Sequence, residues 1–440
     1  MEERKKFRLA DVVLSVICVV FVAEAAAPVA SIGNSQYFWW VFMMIAFLLP
    51  YGMISSELGT TYTGDGGLYD WINFPLWMAS LAVVCPELLS VLTGLQFGWL
   101  AKLLIELAFI WIVTWIAFYP VCDSILILNI SAAIKMLLAL TVGVLGIVYV
   151  VKNGFVNDMA FRTFLPGFDL HSLSYISVII FNFLGFEVVC TYADNMRDPK
   201  RQIPQAIITG GIVIALIYLF SAFGIGAAIP THEISEDSGL IDAVSLMTGR
   251  TSGLFVGAVA LLFLITLFGN MISWSMGVNS TAAYAAENGD MPAIFAKRWA
   301  KNDMPIGSAL TSGIVASVVC ILGIIIELLS PDSSLFWSFF ALNLVMLLLS
   351  YAPVFPAFLR LREIDPDSER PFRVPGGRGM LRVLAYVPMA LILISIFFTA
   401  VPLSFDSETL SSYLPITIGS ILSIVIGEIL IAARARRHHS

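Results

Sequence analysis

The chain has 440 residues, 59% of them hydrophobic and 12% charged, with a formal net charge of −7 and a mean hydropathy of +0.89. That leaves too little polar surface to cover a globule of this size, which excludes a soluble fold. The alternating apolar/polar signature of an outer-membrane barrel is missing, and no basic stripe suggests nucleic acid.

Apolar runs of about 20 residues can cross a bilayer as helices. They predict twelve spans, at 10–32, 37–58, 73–94, 98–118, 127–150, 172–193, 205–228, 253–284, 306–328, 334–358, 383–403 and 411–433. The first span is too long for a signal-peptide core and carries Glu24, so it reads as retained. The segments on the same side as the N-terminus hold 19 Lys and Arg, against four on the other side. The positive-inside rule then puts both termini in the cytoplasm; the expected location is the inner membrane of a bacterial-type cell. The chain reads as one transport domain, 1–440, with no soluble appendage.

Lys135 is the single Lys or Arg expected inside a hydrophobic stretch; the other 23 fall in the polar segments. A charge at the bilayer centre costs at least about 2.5–3.5 kcal/mol, so it needs a partner or a use. Glu24, Glu87, Glu106 and Glu187 share the interior, and this set points to transport, with protons as a coupling partner. Five cysteines without a CxxC pair imply neither disulfide nor metal framework. No nucleophile–base pair, metal-spaced His/Cys set or phosphate loop is present, which argues against an enzyme and against a bound cofactor.

Transporters of this size often hold two inverted five-helix repeats, each with a first helix broken near the midplane. Two segments, five spans apart, fit. Glu24-Ala25-Ala26-Ala27-Pro28 lies in the first span, where Pro28 should open the helix around Glu24. Phe181-Asn182-Phe183-Leu184-Gly185-Phe186-Glu187 lies in the sixth, where Gly185 lowers the cost of leaving helical geometry. Opened turns are tolerated in a membrane only around a polar cavity or a ligand. Small polar residues on neighbouring spans, Asn73, Asn182 and Asn270 among them, are candidate lining, although such residues also glue membrane helices together.

Several motifs carry a resemblance: SerSerGluLeuGlyThrThrTyrThrGlyAspGlyGlyLeuTyrAspTrp (55–71), PheLeuGlyPheGluValValCysThrTyrAlaAspAsnMetArgAspProLysArgGlnIlePro (183–204), AlaAlaGluAsnGlyAspMetPro (285–292) and ArgProPheArgValProGlyGly (370–377). Together, and in this order, they resemble the amino acid–polyamine–organocation superfamily of permeases. The resemblance implies an all-α fold of two inverted five-helix repeats, here 1–150 and 172–358, with two further helices over 383–433. It also implies a central site between spans 1, 3, 6, 8 and 10, and alternating access. Two features depart from the family. Ala25-Ala26-Ala27-Pro28 stands where relatives carry a glycine-rich run, and the connection after Trp71 is about twenty residues shorter than theirs.

The resemblance makes Phe181 and Trp274 aromatic candidates over the solute, and such rings attract ammonium or guanidinium groups. With Glu24, Ala25, Ala26, Ala27, Asn73, Phe74, Asn182, Gly185 and Asn270 they form the expected substrate-binding set. Glu187 falls where relatives carry a proton-sensitive acid. Lys135 resembles a lysine that replaces a sodium ion in proton-coupled members; the competing reading is a permanently charged strut tying span 5 to span 1. Glu24 either attracts an amine or pairs with Lys135. The expected function is amino acid transport by proton symport or by amino acid/amine exchange. A polyamine or organic-cation carrier is the alternative, and a solute sensor on a permease scaffold is a second one.

Overall fold

The computed structural model describes residues 8–22, 25–62, 73–120, 125–168, 172–173, 175–186, 190, 196–235, 239–249, 253–329, 335–402 and 407–438. Glu24 and Glu187, two of the expected site acids, lie outside the described residues, as does the side chain of Asn73.

The elements are α1 (Leu9–Val20), α2 (Ala26–Ala30), α3 (Ser35–Thr61), α4 (Asn73–Thr93), α5 (Trp99–Ile116), α6 (Ile125–Asn153), α7 (Ile176–Phe181) and α8 (Pro199–Ala228). They continue with α9 (Gly239–Thr248), α10 (Leu254–Glu287), α11 (Ile306–Leu329), α12 (Leu335–Tyr351), α13 (Val354–Ile364), α14 (Arg378–Ala400) and α15 (Ser407–His438). Among the described residues nine helices are long and apolar enough to cross a membrane. Each of the twelve predicted spans has a helical counterpart, and the first and sixth stop partway. The short α9 between spans 7 and 8 was not expected.

Lys102 corrects one detail of the charge reading. It sits in the first turn of α5, inside a span, and donates to Glu87 at 3.0 Å at the partly exposed end of that helix. Exposed pairs of this kind contribute little, ~1 kcal/mol or less.

Helix packing brings four long elements around α1: α8, α6 and α10 touch it directly, and α4 lies between α10 and α12. α6 and α8 approach each other closely. A Cβ on Gly224 would stand 2.3 Å from the Val142 carbonyl oxygen, and Gly146 lies opposite. In lipid, where burial of apolar surface gives helices no drive to associate, such backbone proximity supplies the packing. The outer faces of α6, α11, α14 and α15 expose Leu137, Val144, Ile321, Phe397 and Ile421, a surface that suits hydrocarbon and not water.

Candidate functional site

α1 ends at Val20 because Phe21 turns extended, at φ −74° and ψ 120°. α2 begins at Ala26, and Ala25 before it donates its N–H to the Val22 carbonyl at 3.2 Å. The break after Val20 precedes Pro28, which was expected to cause it. Pro28 instead occupies the first turn of α2, where its missing N–H would have had no helical partner.

A helix opened in hydrocarbon leaves carbonyls that cost several kcal/mol each if unpaired. Here four of them, on Cys18, Val19, Phe21 and Val22, are met by side chains from other helices. The Lys135 ammonium, fully buried on α6, donates to Cys18 O at 2.6 Å and to Phe21 O at 2.7 Å. On α10, Trp274 Nε1 and Asn270 Nδ2 both donate to Val19 O, at 2.9 and 3.1 Å. On α8, the Tyr218 hydroxyl accepts from Val22 N at 2.8 Å and lies 2.9 Å from Val22 O. Lys135, Asn270 and Trp274 were expected at the site; Tyr218 was not. Its hydroxyl, one of three in that span with Thr209 and Ser221, gave no signal that set it apart.

The second break follows α7. Phe183 and Leu184 donate to Ile180 O and Phe181 O in a tightened last turn, both at 2.9 Å. Gly185 then adopts φ +96°, which a side chain rarely tolerates. Its N–H donates to the Tyr351 hydroxyl at 3.0 Å, and a Cβ there would stand 2.9 Å from the Trp274 ring. Trp274 therefore packs against one break while bonding the other.

Tyr218 also ties the breaks together, since its oxygen lies 2.8 Å from Asn182 Oδ1. One hydroxyl proton cannot serve both Val22 O and Asn182 Oδ1. Among the described residues Asn182 Nδ2 has no partner, although Asn182 is fully buried. Amide orientation is a matter of assignment. Turned over, Asn182 donates from Nδ2 to the Tyr218 oxygen and leaves Oδ1 free. Either way one polar atom of Asn182 is left over at the break.

Phe181, the residue before it, closes an aromatic triangle. Its ring centroid is 5.3 Å from that of Trp77 on α4 and 5.3 Å from that of Phe340 on α12, and those two are 5.5 Å apart. All three are buried. Trp77 Nε1 donates to Asn270 Oδ1 at 3.0 Å, so the triangle is hydrogen-bonded through Asn270 to the α1 break. Trp77 and Phe340 were missed by sequence reading, since nothing separates them from other packing aromatics. Phe74 is buried one turn before Trp77, and Ala25, Ala26 and Ala27 are buried beside the first break. On α12, one turn past Phe340, both amide atoms of the buried Asn343 are without a partner among the described residues.

At the far end of α3, the buried Glu57 carboxylate is held by Arg362 Nε at 2.7 Å, by Arg362 Nη2, by Arg370 Nε at 3.3 Å and by Val374 N at 2.7 Å. The 370–377 motif thus docks on the foot of the second span. Glu106 is buried against Cys320, between α5 and α11, away from both breaks.

A family model described as "Amino acid permease" matches residues 7–427. A protein named probable agmatine/putrescine antiporter AguD, from Lactococcus lactis, is 57% identical, covering 97% of this chain and 95% of its own. That match runs over 446 positions, more than the 440 residues here, so the relative holds residues without a counterpart in this chain. Putrescine transporter PotE from Haemophilus influenzae is 28% identical over 33% of each chain. The crystal structure of MhsT in complex with L-phenylalanine shares the fold, with a TM-score of 0.58 at 14% identity, over 90% of this chain and 100% of that one.

Proposed function

This chain belongs to the amino acid permease family of membrane transporters, and from that premise we propose that it exchanges cationic amines of the agmatine and putrescine type. The observation that carries the reading is the aromatic triangle of Trp77, Phe181 and Phe340 set against the α1 break. Ring faces attract ammonium and guanidinium groups by roughly 0.5–2 kcal/mol. The one described cation near the breaks, Lys135, is turned onto backbone carbonyls. With its amide turned over, Asn182 offers an oxygen to an incoming ammonium, and Glu24 would add charge of the right sign. The name of the Lactococcus lactis relative supports the same chemistry.

In this reading both termini are cytoplasmic, the membrane is the cytoplasmic one, and residues 1–150 and 172–358 are the two inverted repeats. Agmatine carries an ammonium and a guanidinium, and putrescine two ammonium groups, all protonated near neutral pH. Exchange of two dications balances charge without a proton. Lys135 then serves as a fixed cation holding α1 open, in preference to the proton-carrying role also expected for it.

Proteoliposomes loaded with putrescine test this. External labelled agmatine should enter only when internal diamine is present, and arginine or leucine should compete weakly. Equal uptake into empty vesicles would sink exchange, and leucine entering as readily as agmatine would sink amine selectivity. Binding without flux would make the protein a sensor.

A further inference from the structure

Between Arg360 on α13 and Arg382 on α14 the chain carries six arginines against four acids. A cavity of about 750 Å³ between these helices is lined by Arg360, Arg362, Arg373, Arg378 and Arg382, with Glu363 as the acid among the lining residues. Arg360 is bonded to Glu363 at 3.0 Å, and Arg362 is consumed by Glu57. Two of the three acids of the loop are engaged elsewhere: Asp365 accepts from Tyr62 and Ser368, and Glu369 from Lys200; the third, Asp367, is exposed and within ion-pair distance of none of these arginines. Among the described residues, no carboxylate lies within ion-pair reach of Arg373, Arg378 or Arg382. Three exposed guanidinium groups therefore face one cavity with no carboxylate within ion-pair distance among the described residues.

Their position identifies the missing anion. Arg378 and Arg382 lie on the first turns of α14, and the same helix continues with Val383, Tyr386 and Val387 exposed at 56%, 47% and 39%. The positive charge thus runs straight into the apolar face of a membrane-crossing helix. A free phosphate uses only the charged half of that surface. A phospholipid uses both, with its phosphate on the arginines and its chains along the apolar face. We propose that this cavity binds the headgroup of an anionic phospholipid at the membrane face bearing the basic loops. Because Arg362 lines the cavity and holds Glu57, a bound headgroup sits against the clamp on the second span.

Native mass spectrometry of the full-length protein in detergent, with added dioleoyl phosphatidylglycerol, tests the proposal. The wild type should retain this lipid in preference to dioleoyl phosphatidylcholine. Arg378→Gln with Arg382→Gln should weaken retention about tenfold or more, and Arg373→Gln alone by a smaller factor. Lys297→Gln with Lys301→Gln removes the same charge from another basic loop and should change retention by less than about twofold. Retention unchanged in the arginine variant, equal loss in the lysine variant, or equal binding of phosphatidylcholine would each overturn the site. Glycerol 3-phosphate displacing the lipid at equal concentration would overturn the lipid as its occupant. All five substituted residues lie outside the core, and matching melting temperatures would show that the variants fold.

Discussion

Glu57 and Arg362 meet as a fork-to-fork pair across 305 residues of sequence, with the carboxylate buried and the guanidinium nearly so. Arg370 and the Val374 amide complete the ring of donors. Removing one partner of such a pair leaves a charge stranded, which costs about 3–5 kcal/mol. Glu57→Ala and Arg362→Ala should each lower the melting temperature sharply in detergent. The double variant should lose less than the sum, and strict additivity would show that the two do not act as a unit.

Lys135→Met keeps most of the volume but strips the Cys18 and Phe21 carbonyls of their donor. Two buried acceptors without partners cost about 1–3 kcal/mol each. The variant should lose exchange at every pH tested, and wild-type exchange should vary little with pH near neutrality. A wild-type rate that titrates, together with a Lys135→Met rate that does not, would return Lys135 to a proton-carrying role.

Gly185→Ala meets two obstacles, a backbone at φ +96° and a ring atom 2.9 Å from the new methyl. Strain of this kind costs about 1–3 kcal/mol before the clash with Trp274 is counted. Pairing it with Trp274→Phe should recover part of the lost thermal stability and leave the backbone part unrelieved.

Phe340→Leu removes one face of the aromatic triangle while keeping an apolar side chain. Agmatine affinity should fall roughly 2- to 30-fold, the equivalent of one cation–π contact. Isothermal titration with agmatine measures this. Unchanged affinity would place the amine elsewhere.

Asp365 gives a pH prediction of defined sign. Hydrogen bonds from Ser368 and then Tyr62 hold its carboxyl below the usual 3.8. Slight burial and the same Asp365 contact push the Tyr62 hydroxyl above its usual 10.0. A lowered acid contributes fully above its unfolded value, and a raised phenol fully below its own, so the contact is intact between those two values. Hydrogen exchange over 365–370, corrected for intrinsic rate, should be flat from about pH 5 to about pH 8.

The spans were legible because hydropathy over about 20 residues is a strong signal. The breaks were legible only approximately. Pro28 pointed to the right span but not to the right turn, because the opening is positioned by partners on α6, α8 and α10. Lys135 stood out as a charge in an apolar run. Trp77 and Phe340 did not, since a chain with 12% aromatics hides three rings that only the fold brings together. Glu57 lay in plain view within the 55–71 motif, yet its partners sit more than 300 residues away. The identity of the solute was left open between amino acid and amine because local sequence says little about which faces converge.

The single proton on Tyr218 has a mechanical consequence. It is contested by Val22 on one interrupted segment and by Asn182 on the other. Any swing of the first segment away from α8 releases that proton to the second, and any solute that captures Asn182 releases it to the first. The two interrupted segments are therefore linked through a single hydroxyl, whose choice of partner records which of them has moved.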